Sequence, residues 1–419
     1  MKFLKITHLD PFYINKFYHE RPGLFRKTYD EQKAAFEYDG FGSADFWTYA
    51  LKAIGYEAEE VYYNVKPIQR AWALENGFSK VVCKDSEKIA LEQIKKFKPD
   101  VIWFWDCHEN LLKCICSQKL SIKLSMCDVG SAIPNTNAWQ YFDLVLSCAQ
   151  ESVEQLKRLG VHAKQIHHGF DPRINERLQS RNTSVDVTFI GRFIRETQFH
   201  LEREKLFEDL CEKINVQIYS PNFDGALIDD VKNVLRTGVS RGLRVLRKTG
   251  FPIQVFSRIP GIDVAALLKE KPGSRVSMTL KSSMRSGVFG LQKFQVLQSS
   301  KVTLNMHADS SPVYASNMRL FESTGVGACL VTDWKKNINE LFEPDKEIIT
   351  YKSTEECVEK VKWLMNNPKA REEIACAGQR KTLKNHTYQQ RVLELDQIIR
   401  ISLKEKGKNH SRASSGKLY

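Results

Sequence analysis

Short apolar segments of strand character alternate with helix-length segments along most of this chain, and this alternation most constrains the fold. Phe3–Thr7 and Asp100–Trp105 are strand-like, and Ser86–Phe97 is a clean amphipathic helix between them. Strands that alternate with helices of this length form βαβ units and a parallel sheet. The pattern lapses in a polar stretch at 175–184 and resumes at Val185–Ile190. The sequence therefore predicts two α/β domains with a cleft between them.

Composition excludes several other classes of protein. The chain has 419 residues, of which 42% are hydrophobic and 27% are charged, as in ordinary globular proteins. No apolar run approaches the roughly 20 residues that span a bilayer, and the start, MKFLKITHLDPF, lacks the apolar core of a signal peptide. The ten cysteines include no CxxC pair, so we expect neither a zinc site nor a disulfide framework. A cytoplasmic protein is the expectation.

Positive charge is concentrated in one part of the chain. The net charge is +13, yet residues 231–301 alone hold 14 Lys and Arg against 2 Asp and Glu. This basic segment predicts contact with an anionic acceptor or with an anionic membrane surface at the inner face of the membrane. A solvated basic face and nucleic-acid binding are the alternatives. No RRM, KH or helix-turn-helix pattern is present, so no specific nucleic acid is expected.

Charged residues follow several of the predicted strands. In parallel sheets, ligands bind beyond the carboxyl ends of the strands. The first domain supplies carboxylates and a histidine suited to act as a general base toward an acceptor hydroxyl. The second supplies arginines suited to stabilise a leaving diphosphate. The base candidates are Asp10, Asp106, His108 and Asp128, and the cations are Arg192 and Arg195.

The stretch Val313–Asp333 reads as loop, helix and buried strand, with Ser316 or Asn317 as the helix cap. Unpaired amides at Ser316, Asn317 and Met318 would hold a phosphate. Arg319 adds a fixed positive charge, and Glu322 lies where it can accept hydrogen bonds from a sugar diol. The alternative for Arg319 and Glu322 is a plain i,i+3 ion pair on a surface helix.

These residues resemble a known family. SNMRLFESTGVGACLVTDW and the following segment, to about residue 395, are similar to the C-terminal domain of the spore-maturation-protein (CgeB-like) glycosyltransferases. These enzymes are relatives of the group 1, family 4 glycosyltransferases with the GT-B fold. The resemblance implies that Glu322 binds the donor ribose, that Arg192 binds the diphosphate and that His108 lies near the donor sugar. Tyr314 stands where related enzymes often carry another glutamate, and their Gly-rich loop after the first strand is missing.

Together these observations predict a GT-B fold of two Rossmann-like domains, with residues 1–178 on the acceptor side and 185–388 holding the donor. Residues 231–285 would be a basic insertion, 389–404 a helix packed back toward the first domain, and 405–419 a disordered tail. We expect a metal-independent glycosyltransferase, with a nucleotide sugar as co-substrate instead of a cofactor. Its acceptor would be a glycan, lipid-linked or polymeric, or another phosphate-bearing molecule. The alternative is an anionic-surface- or nucleic-acid-binding protein on an inactive GT-B scaffold.

Overall fold

The chain forms two parallel sheets, one from each half of the sequence. The computed structural model describes residues 1–79, 85–105, 109–118, 120–130, 132–193, 201–221 and 278–415. Within these ranges the strands form two six-stranded sheets, and every strand pairs in parallel with its neighbours. No helix in the described ranges has the length and apolar character needed to cross a bilayer.

The N-terminal sheet has the strand order β2-β1-β3-β4-β5-β6. Its strands are β1 Lys2–Thr7, β2 Glu57–Tyr62, β3 Val101–Trp105, β4 Leu124–Val129, β5 Leu144–Ser147 and β6 Ala163–Gln165. Helices flank the sheet because each parallel connection crosses over one of its faces. They are α1 Pro11–His19, α2 Tyr29–Asp39, α3 Phe46–Ala53, α4 Lys66–Glu75, α5 Ser86–Phe97, α6 Glu109–Ser117, α7 Gln150–Arg158 and α8 Arg173–Arg177.

The C-terminal sheet has the order β12-β11-β10-β7-β8-β9. Its strands are β7 Val185–Ile190, β8 Val216–Ser220, β9 Met284–Ser286, β10 Ser300–Asn305, β11 Cys329–Asp333 and β12 Ile349–Tyr351. The described helices of this half are α9 Leu201–Lys213, α10 Met278–Ser283, α11 Gly290–Gln298, α12 Arg319–Gly325, α13 Ile338–Leu341, α14 Thr354–Asn366, α15 Pro368–Asn385 and α16 Tyr388–Ser415.

Two of these bounds differ from the sequence prediction. The predicted basic insertion lies outside the described residues over 231–277, but its last residues form α10 and the start of β9, the edge strand of the sheet. The tail predicted to be disordered from residue 405 is helical through Ser415. Lys406, beyond the predicted end of the helix, reaches back to Asp143 of the first domain at 2.7 Å.

Each described sheet has one switch point, which is the place between two neighbouring strands whose connections leave in opposite directions. In the N-terminal sheet this point lies between β1 and β3, and in the C-terminal sheet it lies between β7 and β10. Loops that follow the two strands separate there and leave a crevice, which is where open α/β sheets bind ligands. The fold therefore places the loops after β1, β3, β7 and β10 in functional positions.

Apolar contacts and a hydrogen bond join the two halves of the chain. Phe170, which follows β6, is buried against α12, and a Cβ atom added to Gly325 would lie only 2.4 Å from its ring. Helix α16 returns to the N-terminal domain, where Tyr388 packs edge-on against Trp47 with ring centroids 5.0 Å apart. Tyr56 donates a hydrogen bond to Asp396 at 2.5 Å. These contacts fix the relative position of the two crevices.

Candidate functional site

An ion pair joins the two crevices. Asp10, in the loop after β1, pairs with Arg192, in the loop after β7. The guanidinium of Arg192 also lies 5.7 Å from the centre of the Phe12 ring. Since each residue follows a strand that borders a switch point, the pair brings the functional edges of both sheets together. The strand-end reasoning that selected Arg192 thus selected a residue in the cleft.

A buried arginine holds the two C-terminal loops of this cleft. Arg203, in α9, donates to the backbone oxygens of Arg192 and Met306 at 2.9 and 2.8 Å. These carbonyls lie just beyond β7 and β10, so a single side chain ties both sides of the switch point. Burial lowers the pKa of Arg203 to about 10. Arg203 was not predicted as a site residue, because it lies within a helix and not at a strand end.

Glu322 occupies the centre of a buried charge cluster. Its carboxylate accepts from Lys293 Nζ at 2.5 Å and pairs with the guanidinium of Arg319. The side chains of Lys293, Glu322 and Arg319 are 7%, 4% and 12% exposed. Burial alone would raise the pKa of Glu322, but the two adjacent cations hold it below its ordinary value. The cluster is an anion shared by two cations, so one positive charge is left over.

The i,i+3 pair anticipated as an alternative is therefore present, but it is buried and includes Lys293. The sequence analysis counted Lys293 only as one member of the basic segment. Its position three residues into α11 places it on the buried face of that helix. Burial lowers the pKa of Lys293, and Glu322 opposes that shift. The assignment of Glu322 to the donor ribose stays a prediction.

The loop before α12 differs in detail from its prediction. The helix begins at Arg319 and has seven residues, with Met318 as the N-cap. Asn317 accepts from the Arg319 amide at 2.9 Å and donates to Asn305, at the end of β10, also at 2.9 Å. The amides of Ser316, Asn317 and Met318 donate to no other described residue. Because the helix is so short, a phosphate on these amides would rely on the loop and not on a helix dipole.

Tyr314, the residue that departs from the family pattern, contacts the opposite domain through its backbone. Its amide and that of Val313 donate to Glu151, at the start of α7, at 2.8 and 2.9 Å. The loop is thus fixed from the N-terminal side. Glu151 was not predicted as a functional residue, and its contacts with this loop are structural.

Asp128 lies at the end of β4, on the N-terminal wall. Burial raises the pKa of Asp128 to about 8, although Lys5 opposes the shift. Lys5 is itself fully buried, bonded to Glu60 at 2.8 Å, with its ammonium group 5.0 Å from the centre of the Trp105 ring. A carboxyl group with a pKa near 8 exchanges its proton close to neutral pH, as general acid–base catalysis requires.

Two histidines after β6 belong to the same region. His168 lies beside Trp105, with ring centroids 6.4 Å apart, and close enough to Glu322 for that carboxylate to affect its titration. Burial lowers the pKa of His168 to about 4, so its ring is neutral at pH 7. His167 is half-buried, and its buried Nδ1 atom has no hydrogen-bond partner among the described residues. Both residues follow β6, so the strand-end rule could have selected them, but neither was predicted as a site residue.

His307 and Asp333 form a dyad at the ends of β10 and β11. Asp333 accepts from the ring Nδ1 of His307 at 2.7 Å and from its backbone amide at 3.1 Å. Lys335 lies 3.1 Å from the same carboxylate. Although burial opposes it, the pKa of Asp333 is held well below its ordinary value, chiefly by His307 and then by Lys335. The dyad stiffens the loop that leads to α12.

Three predicted site residues, Asp106, His108 and Arg195, lie outside the described residues. In the sequence they follow β3 and β7, the strands beside the two switch points. Their predicted roles stay predictions. Within the described ranges no group of three His, Cys, Asp or Glu side chains is arranged to hold a metal ion.

Comparison with known proteins agrees with this description. Residues 244–397 match a family described as Glycosyl transferase-like. A glycosyltransferase from Rickettsia africae ESF-5 superimposes with a TM-score of 0.52 at 10% identity, covering 97% of this chain and 99% of its own. Anabaena HepE in complex with UDP-glucose gives a TM-score of 0.52 at 11% identity, covering 95% and 99%. A search of the curated proteins found no match.

The predicted fold class is confirmed: two Rossmann-like α/β domains face each other in a GT-B arrangement. The narrower resemblance to the CgeB-like subfamily stays a prediction. The family match covers the C-terminal part of the chain, from residue 244 to 397, and includes Lys293, Arg319 and Glu322. The chain therefore carries a glycosyltransferase-like domain within a GT-B fold, and both findings agree with the predicted enzyme class, the glycosyltransferases.

Proposed function

We propose that this chain transfers a sugar from a nucleotide-diphosphate donor to a hydroxyl of a glycan or of another phosphate-bearing or lipid-linked acceptor. The observation that carries the proposal is the meeting of the two switch points. Arg192 and the loop before α12 border the switch point of the C-terminal sheet, and Asp10 borders that of the N-terminal sheet. A cleft with cations on one wall and acid–base groups on the other suits a two-substrate transfer.

The donor would bind on the C-terminal wall. Arg192 and the surplus positive charge of the Lys293–Glu322–Arg319 cluster would stabilise the negative charge that develops on the leaving diphosphate. The amides of Ser316, Asn317 and Met318 would add hydrogen bonds. Fixed protein cations would provide this stabilisation without a divalent ion, so we expect transfer to continue in the presence of EDTA. UDP-glucose, present in the Anabaena HepE complex, is one donor to include first.

The acceptor would bind on the N-terminal wall, near Asp128. With a pKa of about 8, this carboxyl group is mostly protonated at pH 7 and accepts a proton readily only at higher pH. Asp106 and His108, which follow β3, complete the predicted acid–base set. The basic segment at 231–301 would bind the anionic part of the acceptor or an anionic membrane surface.

A donor screen tests the proposal. Purified protein is incubated with a panel of nucleotide sugars, and release of nucleoside diphosphate is measured with and without EDTA. We expect slow hydrolysis of at least one donor, and binding of the corresponding nucleoside diphosphate in isothermal titration. Absence of both with every nucleotide would refute the proposal and favour a binding protein on an inactive GT-B scaffold. Co-sedimentation with anionic vesicles at low and moderate salt tests the membrane contact separately.

A further inference from the structure

The carboxylate of Asp10 has two partners that belong to different domains. One oxygen accepts from the Phe12 amide at 2.8 Å and caps α1. The other oxygen pairs with Arg192 across the cleft. Because the cap fixes the carboxylate on its own helix, the second oxygen is aimed at Arg192 with little freedom to move. Among the described residues, Asp10 is the carboxylate that pairs with Arg192.

The rest of α1 is attached to the same side of the C-terminal sheet. Lys16 donates to the backbone oxygen of Gly287, just beyond β9, at 3.0 Å. Tyr13 packs against Phe289, with ring centroids 5.8 Å apart. The helix thus bridges from the end of β7 to the end of β9. It occupies the place after the first strand where the enzymes of the resembled family carry a Gly-rich loop.

We propose that Asp10 is a built-in competitor of the donor, whose carboxylate occupies the position on Arg192 that a donor phosphate takes. The inference rests on the proposed function. A carboxylate and a phosphate oxygen are interchangeable anionic partners of a guanidinium. A donor phosphate that takes this position displaces Asp10 from Arg192. Displacement frees α1 from the C-terminal domain at this point and so couples donor binding to movement of the N-terminal wall.

A single substitution separates the charge of Asp10 from its capping role. Asparagine caps helices as well as aspartate does, so Asp10→Asn keeps α1 and removes the competing charge. Loss of a partly exposed ion pair that competes with a second anion changes the affinity for that anion by about three- to tenfold. We therefore expect Asp10→Asn to bind nucleoside diphosphate about three- to tenfold more tightly than the natural chain. Asp10→Ser, which also preserves a cap, should behave in the same way.

The matched control is Asp85→Asn. Asp85 caps α5, accepting from the Lys88 amide at 3.1 Å, and its carboxylate pairs with the Lys88 ammonium group at 3.2 Å. It therefore has the same two roles within a single domain, and its substitution should leave nucleotide affinity unchanged. Arg192→Gln should weaken nucleotide binding both alone and combined with Asp10→Asn, because the shared cation is lost.

Isothermal titration with ADP, GDP and UDP, after thermal melts confirm folding, gives distinct outcomes. Tighter nucleotide binding by both Asp10 variants but not by Asp85→Asn supports the role of Asp10 as a competitor of the donor. Binding by an Asp10 variant where the natural chain shows none supports it more strongly. Equal or weaker binding by the Asp10 variants, with clear binding by the natural chain, overturns this inference and leaves the proposed function intact. If no variant binds any nucleotide, this inference is overturned, and the donor screen decides the proposed function separately.

Discussion

Substitution of Glu322 with glutamine removes the only carboxylate that the structure shows between the buried side chains of Lys293 and Arg319. Glutamine has nearly the same shape, so packing is preserved and the lost charge is the main change. Two cations would then face each other without the carboxylate that pairs with both of them. Removing one partner of a buried ion pair typically costs about 3–5 kcal/mol, much more than the pair contributes over an apolar replacement. We expect a loss of free energy of unfolding of about 3 kcal/mol or more at pH 6.

The loss of free energy of unfolding in Glu322→Gln should become smaller as the pH rises. Lys293 can relieve its burial by losing its proton, and burial already lowers the pKa of that group. In Glu322→Gln the opposing effect of the carboxylate is gone, so the pKa of Lys293 falls further. A lysine whose pKa is lower in the folded than in the unfolded protein makes stability rise with pH. The deficit of the variant should therefore shrink as the pH is raised from 6 to 9.

Chemical denaturation of the natural chain and of three variants at pH 6 and pH 9 provides the measurement. Glu343→Gln is the matched control, because Glu343 also forms an i,i+3 pair, with Lys346 at 2.5 Å, but both side chains are largely exposed. It should change stability by less than about 0.5 kcal/mol. The double variant Lys293→Met with Glu322→Gln should recover most of the loss while nucleotide binding stays impaired. A loss below about 1 kcal/mol for Glu322→Gln at pH 6, or one independent of pH, would refute the reasoning.

Two further predictions concern single sites. The pKa of Asp128 is about 8, against 3.8 ordinarily, so the folded state retains a proton that the unfolded state loses. Relative to Asp128→Asn, the free energy of unfolding of the natural chain should fall between about pH 4 and pH 8 and then level off, as measured by denaturation at several pH values; parallel curves would contradict this. Gly325→Ala should cost about 1–3 kcal/mol, because the added Cβ would lie 2.4 Å from the Phe170 ring. Gly130→Ala, whose Cβ would meet nothing within 4 Å, serves as control, and equal melting temperatures would contradict the prediction.

The fold was predictable because its signals are local. Val101–Trp105 is a short apolar run of the kind that is buried on both faces of a parallel sheet, and Val185–Ile190 is buried from Val187 onward. Helix bounds were less predictable, since caps depend on tertiary contacts. The aromatic stretch after β1 indicates only a long loop or a broken helix, but it contains two helices, which pack through stacked rings such as Phe17 and Phe36, with centroids 3.9 Å apart. Nothing local indicates that arrangement.

The candidate site was predictable only where it obeys the strand-end rule. Arg192 follows β7, Asp128 lies at the end of β4, and Glu322 follows a strand-end loop in a recognisable motif. Lys293 and Arg203 reach the same cleft from within helices, and their burial results from long-range packing. A charge count along the sequence treats Lys293 as one of many surface cations. Only its contact with Glu322 distinguishes it, and that contact spans 29 residues.

Burial affects the ionisable groups on the two walls of the cleft differently. On the N-terminal wall it raises the pKa of Asp128 to about 8 and lowers that of His168 to about 4, so both groups are mostly uncharged at pH 7. On the C-terminal wall, Arg319 and Lys293 hold the pKa of Glu322 below its ordinary value despite burial, so this carboxyl group is ionised at pH 7. An anionic donor is therefore attracted by the wall that holds Arg192, while Asp128 remains able to exchange a proton. A carboxyl group with a pKa near 8 is a poor base at pH 7, so if Asp128 is the base, transfer should speed up as the pH approaches 8. A rate that instead falls over this range would assign Asp128 the role of an acid.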